Sequence, residues 1–155
     1  MTLSNKNISI RLAHRDDLEA LVHLFAEDEF NQSDRWTEES APAYYAAFEK
    51  VQVSENSNLY SVLIDGEIVG TFTLVFIPVI FGGGAHRVVL EGVHVSQHHR
   101  SAGIGRIILE FTEKHAKEQG AKSVALTSKK VRIRAHGFYE KNGYLKSHEG
   151  FRKQL

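Results

Sequence analysis

The chain has 155 residues, 42% apolar and 25% charged, which is ordinary globular usage, neither disordered nor fibrous, and predicts a single domain over 1–155. It has no cysteine, which excludes a disulfide framework, a thiolate zinc site and a cysteine nucleophile and fits a cytoplasmic setting. Net charge is formally zero, yet residues 1–96 hold 6 Lys/Arg against 14 Asp/Glu and residues 97–155 hold 13 against 5. The neutral total argues against nucleic-acid binding through a bulk positive field. The asymmetry either suits a polyanionic small molecule in the second half or lets the two halves attract each other.

Met1 to Asn7 lacks the apolar stretch of a secretory signal. Ile8 to Leu12 alternates as a strand. Asp16-Asp17 then opens a run of Leu18, Leu21, Val22, Leu24 and Phe25 at helical spacing. After an acidic loop from Glu27 to Ser40, Pro42 to Val53 carries Tyr44, Tyr45, Phe48 and Val51 at helical spacing. Leu59 to Ile64, Asp65-Gly66 and Glu67 to Phe76 read as a hairpin, since Asp-Gly supplies the positive φ of a tight turn. The most apolar stretch, Ile68 to Phe81, is interrupted by Gly70 and Pro78 and has 14 residues, short of the ~20 a membrane helix needs. It is a core segment, and no membrane is expected as a partner.

Pro78 and Gly82-Gly83-Gly84 make a loop, and Arg87 to Val95 resumes as a central strand. Gly103 to Gln119 carries Ile104, Ile107, Ile108, Phe111 and His115 on one side of a helix closed by Gly120. Val124 to Thr127 is a short strand, Val131 to Lys141 a helix closed by Asn142-Gly143, and Tyr144 to Leu155 a final extended segment. The order predicts an α/β fold (α+β mixed), a mostly antiparallel mixed sheet of about six or seven strands covered by about four helices.

The chemistry concentrates in Leu90 to Leu109, LEGVHVSQHHRSAGIGRIIL. A strand runs into Arg100-Ser101-Ala102-Gly103-Ile104-Gly105-Arg106, and a helix starts inside that loop. Small residues let backbone approach a ligand, and the amides and dipole of a helix start favour an anion. Arg100 and Arg106 add positive charge at the rim. A tight turn holding no ligand is the alternative. Neither the P-loop pattern nor the dinucleotide pattern Gly-x-Gly-x-x-Gly is present.

The segment resembles the acyl-CoA motif of the GNAT superfamily of N-acetyltransferases, Arg/Gln-x-x-Gly-x-Gly/Ala, at Arg100, Gly103 and Gly105. His136-Gly-Phe-Tyr-Glu-Lys-Asn-Gly-Tyr144 is similar to that superfamily's second signature. The Asp-Gly-Glu-Ile-Val-Gly hairpin, a Glu in the central strand, Arg132 to Tyr139 and Ser147 to Phe151 also resemble bacterial small-molecule members, including aminoalkylphosphonate N-acetyltransferases.

The resemblance implies acetyl-CoA as co-substrate, lying along the strand that ends at Val95. Backbone of Val93, His94 and Val95 would hold the pantetheine arm, and amides of Arg100, Ser101, Ala102, Gly103, Ile104, Gly105 and Arg106 the pyrophosphate. Glu91 is the candidate base, through a water, with a strand-edge pair to Arg87 as its alternative. Tyr139 is the candidate acid for the departing thiolate, with packing against Phe138 and Tyr144 as its alternative. A main-chain amide of Val93 or His94 is placed to donate to the oxyanion.

His94, His98 and His99 have no carboxylate at ligand spacing, so no metal is expected. His136, one turn before Tyr139, is a further cleft candidate. Substrate recognition is expected from Glu27 to Glu39 and the Phe76 to His86 loop, whose Phe76, Ile77, Val79, Ile80 and Phe81 also suit a homodimer seam. The expected activity is direct acetyl transfer to a small-molecule primary amine in a ternary complex. A non-catalytic acyl-CoA sensor and a protein or peptide N-acetyltransferase are the alternatives.

Overall fold

Period-2 and period-3.6 patterns in the sequence become the elements they predict. The computed structural model describes residues 7–30 and 33–155. In chain order it shows β1 (Ile8–Leu12), α1 (Leu18–Ala26), α2 (Ala41–Gln52), β2 (Ser57–Ile64), β3 (Glu67–Ile77) and α3 (Phe81–Gly84). Then follow β4 (Arg87–Val95), α4 (Ile104–Glu118), β5 (Val124–Leu126) and α5 (Ile133–Lys141). The five strands found among the described residues form one mixed sheet in the order β1-β2-β3-β4-β5, and the pairs β1–β2, β2–β3 and β3–β4 are antiparallel.

The chain divides into two compact units, one reaching to Ala125 and one from Leu126 to Leu155. In the first, α1 turns Leu18, Leu21, Val22 and Leu24 inward. The sheet meets helices with Phe72, Leu74, Val88 and Leu90, all essentially inaccessible. The α4 stripe is Ile104, Ile108, Leu109, Thr112 and Ala116, rotated slightly from the expected one. Phe111 and His115 lie half-buried at its border and stack at 5.4 Å. Tyr60 and Phe72 stack at 4.9 Å beneath Phe111. No helix among the described residues is long and apolar enough to cross a membrane.

Asp17, in a 3₁₀ turn before α1, ties this entry to the sheet. Arg11 donates to both its carboxylate oxygens at 2.6 and 2.9 Å, and the His14 amide and Ser61 hydroxyl each donate at 2.8 Å. The charge is buried but fully partnered, which is what makes its burial tolerable.

Two expectations are corrected. The sheet has five strands, because Tyr144 to Leu155 forms no strand among the described residues. That segment satisfies polar groups locally, with the Ser147 amide donating to the Leu145 carbonyl at 2.9 Å and the Ser147 hydroxyl against His148 Nδ1 at 2.8 Å. Leu145 and Phe151 stay exposed, so no apolar face pins a register. The α-helices number five among the described residues, because Phe81–Gly84 winds into a short turn.

Candidate active site

β4 alternates as a half-buried strand should, with Val88 and Leu90 inside and Arg87 and Glu91 outside. The alternation stops at Gly92. Thr73 pairs with Glu91 and Thr71 with His94, so Gly92 and Val93 together face Phe72. This is a β-bulge, and its extra residue takes φ of +59°, a left-handed value that glycine adopts without a Cβ penalty. A glycine inside a strand pattern was the sequence signal for it.

The bulge is braced from α1. His94 Nδ1 lies 2.9 Å from the Gly92 carbonyl oxygen, and Nε2 lies 3.4 Å from Asp28 Oδ2. The Phe25 ring meets the imidazole edge-on at 5.0 Å. The imidazole is 17% exposed and the Asp28 side chain 6%, so this pair sits largely out of water. Glu27 accepts from the Gln97 amide at 2.7 Å. The first carboxylates of the acidic stretch, expected to meet substrate, therefore hold the end of β4. This connection runs between residues about 70 apart, and no local period announces it.

Beyond β4 the chain makes a 3₁₀ turn at Gln97–His99 and enters the Gly-rich loop. Ser101 at φ +67° and Gly103 at φ +89° are both left-handed. Gly103 is the N-cap of the 15-residue α4 and has no side chain to close over its first amides. Nδ1 of His99, just before the loop, is buried with no hydrogen-bond partner among the described residues. The amides of Arg100 and Ala102 already donate to the Gln97 and His99 carbonyls at 3.4 and 3.3 Å, so the first amides of α4, its dipole and the orphaned His99 nitrogen are what would fit a pyrophosphate. Arg100 reaches back to the Val95 carbonyl at 3.4 Å, and Arg106 is paired with Glu110 at 2.8 Å. The rim charge expected of Arg106 is thus partly compensated within α4.

Glu91 is exposed on β4, and no ion pair between it and Arg87 is found among the described residues. Glu91, Val93, His94, Val95 and the 100–106 loop follow one another on a single strand and turn. Tyr139 belongs to the second unit, half-buried on α5 with Phe138 at 5.3 Å and Tyr144 at 6.0 Å between ring centres. Burial raises its phenol pKa and the nearby Arg132 charge opposes the rise. The phenol keeps its proton throughout the neutral range. His136 Nε2 lies 3.0 Å from the Lys129 carbonyl, which anchors the loop into α5.

The family model for the Acetyltransferase (GNAT) family matches residues 18–144. The chain belongs to the GNAT acetyltransferase family. This GNAT chain is 35% identical over 103 residues to an uncharacterized N-acetyltransferase, YjcF, of Bacillus subtilis (strain 168), covering 63% of this chain and 64% of that protein. The chain thus spans under two thirds of the length of this relative. A solved structure described as a transcriptional regulator from Bacillus halodurans C-125 superposes with TM-score 0.91 at 32% identity, covering 96% of this chain and 100% of that one. Glucosamine-6-phosphate N-acetyltransferase from Arabidopsis thaliana shares the fold, with TM-score 0.80 at 18% identity over 96% and 99% of the two chains.

Proposed function

We propose that this GNAT chain is an acetyl-CoA-dependent N-acetyltransferase that passes acetyl directly to a primary amine of a small molecule within a ternary complex. The observation that carries this reading is the bulged strand β4 running straight into the left-handed loop that opens α4. One continuous segment offers a distorted strand for a thioester arm and a helix start for a pyrophosphate.

An alkyl amine of pKa ~10.4 must lose a proton at pH 7, which costs roughly 4 to 5 kcal/mol at ~1.4 kcal/mol per unit. Glu91, exposed on β4, takes that proton through a water. The amine lone pair attacks the thioester carbonyl carbon, and the carbonyl electrons move to oxygen, where a bulge amide of β4 donates. When the oxyanion collapses, the C–S bond breaks, the thiolate takes a proton, the role the family resemblance gives to Tyr139, and the surplus proton on the new amide nitrogen leaves to restore the acid. With no cysteine in the chain, no cysteinyl acyl-enzyme forms.

A small-molecule acceptor is supported by the fold shared with glucosamine-6-phosphate N-acetyltransferase. An aminoalkylphosphonate acceptor is not favoured, because it needs clustered cations and residues 1–96 offer 6 Lys/Arg. The exposed Ile80 and Phe81 beside Ile77 suit a homodimer seam. The reading is tested by thiol release from acetyl-CoA over a panel of primary amines, with turnover on one class expected. A second reading, an acyl-CoA sensor without turnover, is favoured by the description of the Bacillus halodurans neighbour. Acetyl-CoA binding with no thiol release on any amine would establish it.

A further inference from the structure

The bulge amides are the groups closest to the proposed chemistry, and two of them, of Val93 and His94, compete for the oxyanion role. The structure distinguishes them through a contact that no sequence pattern marks. His94 Nδ1 stands 2.9 Å from the carbonyl oxygen of Gly92, two residues back. A carbonyl oxygen only accepts, so Nδ1 carries a proton and donates. The Gly92 C=O and the Val93 N–H belong to one planar trans peptide and point in opposite directions. Whatever holds the Gly92 oxygen therefore also sets the direction of the Val93 amide.

The imidazole that holds it is itself held. Nε2 meets the buried carboxylate of Asp28 at 3.4 Å, and the Phe25 ring closes on it at 5.0 Å. Asp28 in turn accepts from the Phe30 amide at 3.0 Å, which keeps its carboxylate in place after α1. A left-handed glycine is the most permissive residue in a strand, and Gly92 has nothing within 4 Å of the position a Cβ would take. No side chain packs where a Gly92 Cβ would stand, and the His94 ring is the side-chain contact on its carbonyl.

We propose that His94 is a positioning residue: its ring, braced by Asp28 and Phe25, holds the Gly92 carbonyl and thereby aims the Val93 amide at the thioester carbonyl oxygen. This rests on the acetyltransferase reading above, and it selects Val93 over His94 as the oxyanion donor. The amide does not bind the donor molecule as a whole; it polarises one carbonyl. Its loss is felt in kcat and in the electronic state of the acetyl group, with little effect on CoA affinity.

The test uses the full chain, acetyl-CoA labelled with carbon-13 at the thioester carbonyl, and two substitutions that divide the imidazole's functions. His94→Asn keeps a donor where Nδ1 stands, whereas His94→Gln places its amide where Nε2 stands. In the unaltered chain the bound carbonyl stretch moves to lower frequency than in free acetyl-CoA. His94→Asn retains that shift, with kcat within about threefold. His94→Gln loses it, and kcat falls on the order of tenfold to a hundredfold, as for a lost oxyanion donor, while the Kd for CoA is unchanged. Asp28→Asn, which keeps an acceptor for Phe30 but removes the charge facing Nε2, gives an intermediate shift.

Equal behaviour of the Asn and Gln variants at equal melting temperatures, with the unaltered chain shifted and active, overturns the clamp. A parallel loss of Tm, kcat and CoA affinity in both variants also overturns it, since that is the signature of a merely structural histidine. Absence of acetyl-CoA binding in the unaltered chain overturns instead the reading on which the proposal rests.

Discussion

Tyr139 holds its proton across the neutral range because burial lifts the phenol and the Arg132 charge only partly offsets that. A thiolate of pKa ~8.5 is a modest base, so its protonation helps without being indispensable. Tyr139→Phe is expected to lower kcat about tenfold to a hundredfold and to leave acetyl-CoA affinity intact, read by thiol release alongside titration. Asp17 shows the opposite balance. Burial alone would raise its pKa, but the bonds from Arg11, His14 and Ser61 outweigh it and hold the carboxyl at about 2. Its folded value lies below the ordinary 3.8, so the stability it confers is complete above about pH 5 and is lost as pH falls through 3.8 towards 2. The amount is about 2 kcal/mol at ~1.4 kcal/mol per unit. Urea midpoints measured between pH 6 and pH 2.5 should fall for the unaltered chain and lose that component of the slope in Asp17→Asn. As proposals, Glu91, Tyr139 and the loop from Arg100 to Arg106 were legible in the sequence because short motifs carry them. The brace from Asp28 to His94 was not, because it joins the end of α1 to β4 across 66 residues of sequence with no periodic signal.

Among the elements, β4 was readable with its bounds, Arg87–Val95, and up to Glu91 the alternation of Val88 and Leu90 with exposed partners shows why. The bulge breaks that alternation, and Gly92 marks it only in retrospect. Gly92→Ala meets no steric obstacle, since nothing lies within 4 Å of an added Cβ. Its whole cost is the left-handed backbone at φ +59°, about 1 to 2 kcal/mol. A fall of that size in unfolding free energy, with the m-value unchanged, is expected from denaturant titration. The hairpin at Asp65-Gly66 and the helix Ile104–Glu118 were equally legible, the first from turn chemistry and the second from its apolar stripe. Residues 144–155 were misread as a strand because extended character was inferred without an alternating face. Leu145, Phe151 and Leu155 all face solvent, and local hydrogen bonds replace a ladder. The turn Phe81–Gly84 was hidden behind three glycines, all of which take left-handed φ.

Taken as a molecule, the chain separates its charges by segment. Residues 1–96 are acidic and 97–155 basic, and the basic part begins where the anion-fitting loop begins. Long-range attraction of a polyanion to such a segment is screened within about 10 Å at 0.1 M salt. Raising salt from about 0.05 to 0.5 M should weaken CoA binding several-fold, and weaken that of CoA lacking its 3′-phosphate less, as titrations in parallel would show. Membership of the GNAT family was legible from two short motifs, and the match over residues 18–144 agrees with them. The acceptor was not legible, because no motif of this chain marks an amine pocket. The most direct measurement is calorimetric titration of the full chain with acetyl-CoA and with desulfo-CoA. Saturable binding of both, at one site per chain, is predicted by a pyrophosphate seated on the 100–106 loop and a thioester arm along β4. Failure of both to bind would contradict the assignment of that segment and the activity built on it.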